Sequence, residues 1–231
     1  MAGSKGSRGG QGSAALMVVN PTAQSQPQQA ANLTDEQKIS NALGTQGAAA
    51  TIDEALDRVN PNYNSGKEWR TNCQRCVWAA EMQRRGYDVE ALPRTSDNTY
   101  AKADKSFQNS FLNVAKGGLD LDTIGSPWWK QSASDIKSHF TDKYDVGNRG
   151  MIVVAGSKSG HVFNWEIIRG KNGNQVRFYD TQPHGLNDKS YKQSNVSATA
   201  ITKHWFYFRE ARMDNVDVTP LISDFVKPRS K

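Results

Sequence analysis

The stretch Gly160-His161-Val162-Phe163-Asn164-Trp165-Glu166-Ile167-Ile168-Arg169-Gly170-Lys171-Asn172-Gly173-Asn174-Gln175-Val176-Arg177-Phe178-Tyr179-Asp180 decides how the chain is read. His161, Phe163, Trp165 and Ile167 recur at a period of two, so residues 161–168 are expected to form a strand with one apolar face. Residues 175–180 form a second strand, and Asn172-Gly173 between them is a strong signal for a tight hairpin. With Ile168 paired to Gln175, His161 lies opposite Gln182 and diagonal to Asp180, within reach of long side chains. The hairpin therefore brings an imidazole and a carboxylate to one strand end.

Outward from the hairpin, residues 151–155 and 200–209 read as further strands, separated by Gly, Asn and Pro turns. The N-terminal side is helical. Residues 72–85 form the clearest helix, with Asn72 as N-cap, Cys73, Cys76, Val77 and Ala80 on one face, and Gly86 as the stop. Thr34 with Gln37 and Thr51 with Glu54 have capping-box spacing, and Ile52, Ala55, Leu56 and Val59 recur at helical intervals. Further helices are expected at 106–115 and 134–140. Helices first and strands afterwards is the order of an α+β domain.

The chain has 231 residues and a net charge of +6 from 29 basic and 23 acidic side chains. That is far below the charge density of a dedicated nucleic-acid binder, so no nucleic-acid partner is expected. No apolar run approaches the roughly 20 residues of a membrane span, and the weak segment 14–19 does not make a Sec-type signal. The chain is therefore expected to be made in the cytoplasm. All aromatic residues lie at or after Tyr63, which places the core in the later part of the sequence. The expected organisation is a disordered Gly-, Ser-, Gln- and Ala-rich tail at 1–31, a helical linker at 32–61, the main folded domain at 62–220 and a basic tail at 221–231.

Only two cysteines occur, three residues apart at the start of a helix, so they cannot staple distant segments. Cys73 follows the N-cap directly, where unpaired N–H groups and the helix dipole favour a thiolate, and Arg70 and Arg75 push the same way. A thiolate nucleophile also needs a general acid and base. The chain offers His139, His161, His184 and His204 for this role. His161 is the candidate that has a carboxylate, Asp180, set beside it by the hairpin register; His184 lies near the same strand end and ranks below it.

Asn72-Cys73-x-x-Cys76, Gly160-His161-x-Phe163-Asn164 and Tyr179-Asp180-x-Gln182, in that order, resemble the papain-fold toxin family. These are glutamine-deamidase-like domains of bacterial polymorphic toxins, injected effectors and some phage head-associated proteins. The resemblance covers about residues 62–183. It implies a papain-like fold, a Cys73, His161, Asp180 triad with Asn72 and Gln182 in support, no cofactor and no metal. It also implies a protein substrate, an immunity or delivery partner, and delivery into a target cell or packaging in a virion. Papain-like folds support deamidation, peptide cleavage and acyl transfer alike, so the reaction stays open at this point.

The choice of nucleophile stays open as well. Papain-type proteases carry Cys-Gly-Ser-Cys-Trp with the second Cys reactive, an alignment that selects Cys76, although Trp78 is displaced by one position. The cap position selects Cys73, because the dipole effect fades within the first turn. Among rival readings, a zinc site lacks a second ligand pair, and a thioredoxin-like redox pair lacks the preceding strand. Trp128-Trp129 reads as core or subunit contact, and Arg84-Arg85 as a solvated helix end. A further alternative is a structural or packaged protein that keeps the fold without catalysis.

Overall fold

The computed structural model describes residues 33–94, 111–125, 131–157, 159–182 and 195–230. The chain divides into two units, Met1–Leu33 and Thr34–Lys231, and all but one of the described residues belong to the second. The tail expected at 1–31 lies outside the described residues, as do Trp128, Trp129 and His184.

Helix α1 (Asp35–Leu43) and helix α2 (Ile52–Arg58) each begin with the reciprocal box that the sequence spells. The Thr34 hydroxyl accepts from the Gln37 N–H while the Gln37 side chain accepts from the Thr34 N–H, and Thr51 and Glu54 repeat the arrangement. Two short 3-10 turns, Tyr63–Ser65 and Lys67–Trp69, lead into α3 (Cys73–Arg84). Gly86 stops this helix at φ +95°, and a Cβ there would sit 2.3 Å from the Gly47 carbonyl oxygen, so no larger residue fits.

After β1 (Val89–Ala91) come β2 (Asp122–Thr123), α4 (Ala133–Lys143), β3 (Arg149–Ala155), β4 (Gly160–Gly170), β5 (Gly173–Tyr179), β6 (Asn195–Val196), α5 (Ala198–His204), β7 (Tyr207–Arg212) and β8 (Val226–Pro228). Six strands form one antiparallel sheet in the order β2-β7-β3-β4-β5-β6, and β1 pairs with β8 in a separate ribbon. This is an α+β architecture. Ile168 pairs with Gln175 and Gly170 with Gly173, which leaves Lys171-Asn172 as a two-residue turn. No helix among the described residues is long and apolar enough to cross a membrane.

The sheet has helices on both faces. On one, Ile136 and Phe140 of α4 and Ala198 and Ile201 of α5 pack against Ile152, Val154, Phe163, Trp165, Ile167, Phe178 and Phe208. On the other, α3 contributes Cys76, Val77, Trp78, Ala80 and Met82 to a core shared with Met151, Val162, Tyr179 and Ala211. Polar links fix α3 along β4: Asn164 donates to the Val77 carbonyl at 3.2 Å, and Glu166 binds Arg84 through both carboxylate oxygens.

Four sequence expectations are corrected. Residues 200–209 are not one strand, because Ser197 caps Ala200 at 3.1 Å and Ala198 and Ile201 bury one turn apart, so α5 forms first and β7 follows. Residues 32–61 are not a linker: Ile39, Leu43, Ile52 and Leu56 lie in the α3 core. Nor is 221–231 merely a tail, since Ile222, Phe225 and Val226 are buried there. The Arg84-Arg85 pair is not a solvated end, because Arg84 holds Glu166 and Arg85 binds Glu81 at 2.7 Å and the Val216 carbonyl at 2.9 Å. The helix expected at 134–140 runs longer, and that at 106–115 is described only from Phe111, where Phe111 and Leu112 are helical before the chain turns.

Candidate active site

The site lies where the start of α3 meets the open end of the β4–β5 hairpin. His161 pairs with Val154 at the beginning of β4, and β5 ends at Tyr179, which leaves Asp180, Thr181 and Gln182 to cross the helix start. His161 Nε2 lies 2.6 Å from Asp180 Oδ2. The Cys73 thiol interacts with the same imidazole. A thiol, an imidazole and a carboxylate from three separate parts of the sequence are thus brought together.

Electrostatics favour the charged form of the ring. Burial alone depresses a histidine pKa, but the charge and hydrogen bond of Asp180, with the Cys73 contact, outweigh it and push His161 up to about 10. An imidazolium is therefore held beside the Cys73 sulfur. Cys76 is in a different situation. It is 1 % exposed, its thiol donates to Asn72 Oδ1 at 3.3 Å, and burial, followed by the nearby Cys73 and Asp180, raises its pKa well above that of an ordinary thiol. Cys73 is half-buried and both cysteines are free thiols.

Asn72 departs from its expected role. It occupies the N-cap position but makes no side-chain cap, and its φ and ψ of −101° and 26° are not the extended values of a capping residue. Its carboxamide turns inward instead, accepting from Gln182 Nε2 at 2.9 Å and donating to the Leu92 carbonyl at 3.0 Å. Its own carbonyl accepts from the Arg75 and Cys76 N–H groups. The Cys73 and Gln74 N–H groups have no hydrogen-bond partner among the described residues.

Of the remaining histidines, His139 lies 3.4 Å from Glu210 and far in sequence from any thiol, while His204 is exposed at the end of α5. Among the described residues, no group of three or more His, Cys, Asp or Glu is arranged to hold a metal ion. Sequence reasoning missed two contributors. Asn60 donates to Asn72 Oδ1 at 3.3 Å, and Thr181 donates to the Cys76 carbonyl at 3.2 Å. Neither carries a periodic or motif signal; Asn60 before Pro61 reads simply as a helix stop.

Comparison with family models, with curated proteins and with solved structures returns no match for this chain.

Proposed function

We propose that the protein is a cysteine-dependent amide hydrolase with a papain-like catalytic arrangement, acting as a protein glutamine deamidase of the toxin or effector type. The observation that supports this reading is the 2.6 Å His161–Asp180 bond together with the Cys73 thiol interacting with the same ring. A structural histidine needs a carboxylate or a packing role, but not also a half-buried thiol at a helix start.

In this mechanism the Cys73 thiolate attacks the side-chain carboxamide carbon of a substrate glutamine, and the C=O electrons move onto oxygen. The Cys73 and Gln74 N–H groups, which have no hydrogen-bond partner among the described residues, receive that oxyanion. The imidazolium of His161 gives its proton to the departing nitrogen, so ammonia leaves and a thioester remains. Neutral His161 then takes a proton from water, hydroxide adds to the thioester, and the thiolate is released with a glutamate side chain formed. Asp180 holds the ring orientation throughout.

The test is intact-mass analysis of candidate substrate proteins exposed to the protein and to Cys73→Ser. Deamidation adds about one dalton per glutamine by exchanging NH2 for OH, and the increment should vanish with Cys73→Ser. Cleaved fragments would point to a peptidase using the same triad. Unchanged substrates across a broad proteome, with a Cys73 no more reactive than a free thiol, would leave the non-catalytic packaged protein as the better reading.

A further inference from the structure

The start of α3 is held by a buried polar cluster that the steps above do not use. Asn60, just beyond α2, and Asn72 form a reciprocal carboxamide pair: Asn60 Nδ2 donates to Asn72 Oδ1 at 3.3 Å, and Asn72 Nδ2 donates to Asn60 Oδ1 at 3.4 Å. The remaining N–H of Asn60 goes to the Trp69 carbonyl at 3.0 Å, and that of Asn72 to the Leu92 carbonyl at 3.0 Å. Asn72 Oδ1 also accepts from Gln182 Nε2 and from the Cys76 thiol. Asn60, Asn72, Cys76 and Gln182 are all 3 % exposed or less. Every amide hydrogen of the pair is used, so the cluster has one low-energy arrangement rather than several.

We propose that Asn60, Cys76 and Gln182 are positioning residues, which hold the Asn72 carboxamide off the helix end and thereby fix Cys73 against His161. The inference rests on the amide-hydrolase reading of the thiol site. An unrestrained N-cap asparagine would turn onto the second N–H of the helix, that of Gln74, and close the group that the oxyanion needs. Three donors converging on Asn72 Oδ1 oppose that rotation. Gln182 does more than donate, because its backbone N–H binds Asp180 Oδ1 at 2.9 Å while its side chain binds Asn72. A single residue thus ties the carboxylate behind His161 to the helix that bears Cys73. Cys76 acquires a role in which its sulfur never reacts: it is a buried donor one turn below the nucleophile.

The experiment follows the rate of Cys73 alkylation by iodoacetamide between pH 5 and 9 in the full chain, by peptide mass, beside the thermal midpoint of each variant. Asn60→Ala and Gln182→Ala should slow Cys73 about tenfold at pH 6, as loss of one buried hydrogen bond would, and should move the pH profile. Cys76→Ser keeps a donor for Asn72 and should stay within about twofold of the parent, whereas Cys76→Ala should fall with the other two. The serine and alanine variants differ only in that donor, so their comparison survives even if Asn60→Ala folds poorly. Equal rates for these two variants, or a lowered thermal midpoint with an unchanged Cys73 profile, would show that the cluster only stabilises the fold. If Cys73 of the parent chain reacts no faster at pH 6 than in urea, the amide-hydrolase reading fails and this inference with it.

Discussion

The two cysteines are chemically alike and differ only in surroundings, and the difference decides which can react. Cys73 is half-buried and interacts with His161, while Cys76 is fully buried with its thiol on Asn72 Oδ1 and its pKa raised by that burial. Brief alkylation at pH 6 is expected to label Cys73 and leave Cys76 intact. Cys73→Ser should abolish the proposed amide hydrolysis while Cys76→Ser retains most of it; preferential labelling of Cys76 would reverse the assignment. His161 adds a pH signature. Its folded pKa of about 10 exceeds the unfolded value of about 6.5, so the native state binds more protons in between, and stability falls as pH rises through that window. The contribution is fully present below about pH 6.5, lost above about pH 10, and on the order of a few kcal/mol. Denaturant midpoints at pH 6.5 and pH 10 should diverge more in the parent chain than in His161→Gln; an equal drop in both would remove the Asp180–His161 pairing from the stability account.

Elements formed by adjacent residues were legible, and those set by distant partners were not. The boxes at Thr34 and Thr51, the helix at Cys73 and the hairpin register through Ile168 and Gln175 all depend on contacts within a few residues. Because the register fixes which side chains share a strand end, the His161–Asp180 encounter followed from local pattern alone. The sequence of helix α5 reads as strand because Ile201, Trp205 and Phe206 raise β-propensity, and only burial of Ala198 with Ile201 reveals its face. The tie between α4 and β7 was equally hidden. Glu210 has a fully buried side chain and accepts from Lys143 and Tyr144, both at 2.7 Å, and from His139. Burial would raise its pKa, but these donors lower it below the ordinary carboxylate value. The native state therefore resists protonation, and the associated stability is present above about pH 4.5 and lost as pH falls through the lowered value. Glu210→Gln should flatten the acid limb of the stability profile. It should also cost about 2 kcal/mol at pH 7, less than a fully enclosed pair because Lys143 reaches solvent. An unchanged acid limb would mean that another carboxylate controls it.

The second unit closes on α3, and the segments that close it come from both of its ends. Ile39, Leu43, Ile52 and Leu56 arrive from α1 and α2, and Ile222, Phe225 and Val226 from the residues before and within β8. Aromatic content placed the start of the core near Tyr63, because α1 and α2 bury only aliphatic side chains and so escape a count of large rings. A fragment of residues 62–220 lacks all seven of these side chains. Each fully buried aliphatic or aromatic group is worth roughly 1.5–3 kcal/mol, so the loss is on the order of 10 kcal/mol or more, against a typical domain stability of about 5–15 kcal/mol. The fragment also lacks Asn60, which leaves Asn72 one partner short at the helix start. It should therefore show no cooperative thermal transition by circular dichroism, and Cys73 and Cys76 should alkylate at equal rates, since the burial that separates them is gone. A cooperative melt near that of the full chain, with Cys73 still labelled first, would show that the hairpin and α3 hold the thiol site without either terminal segment.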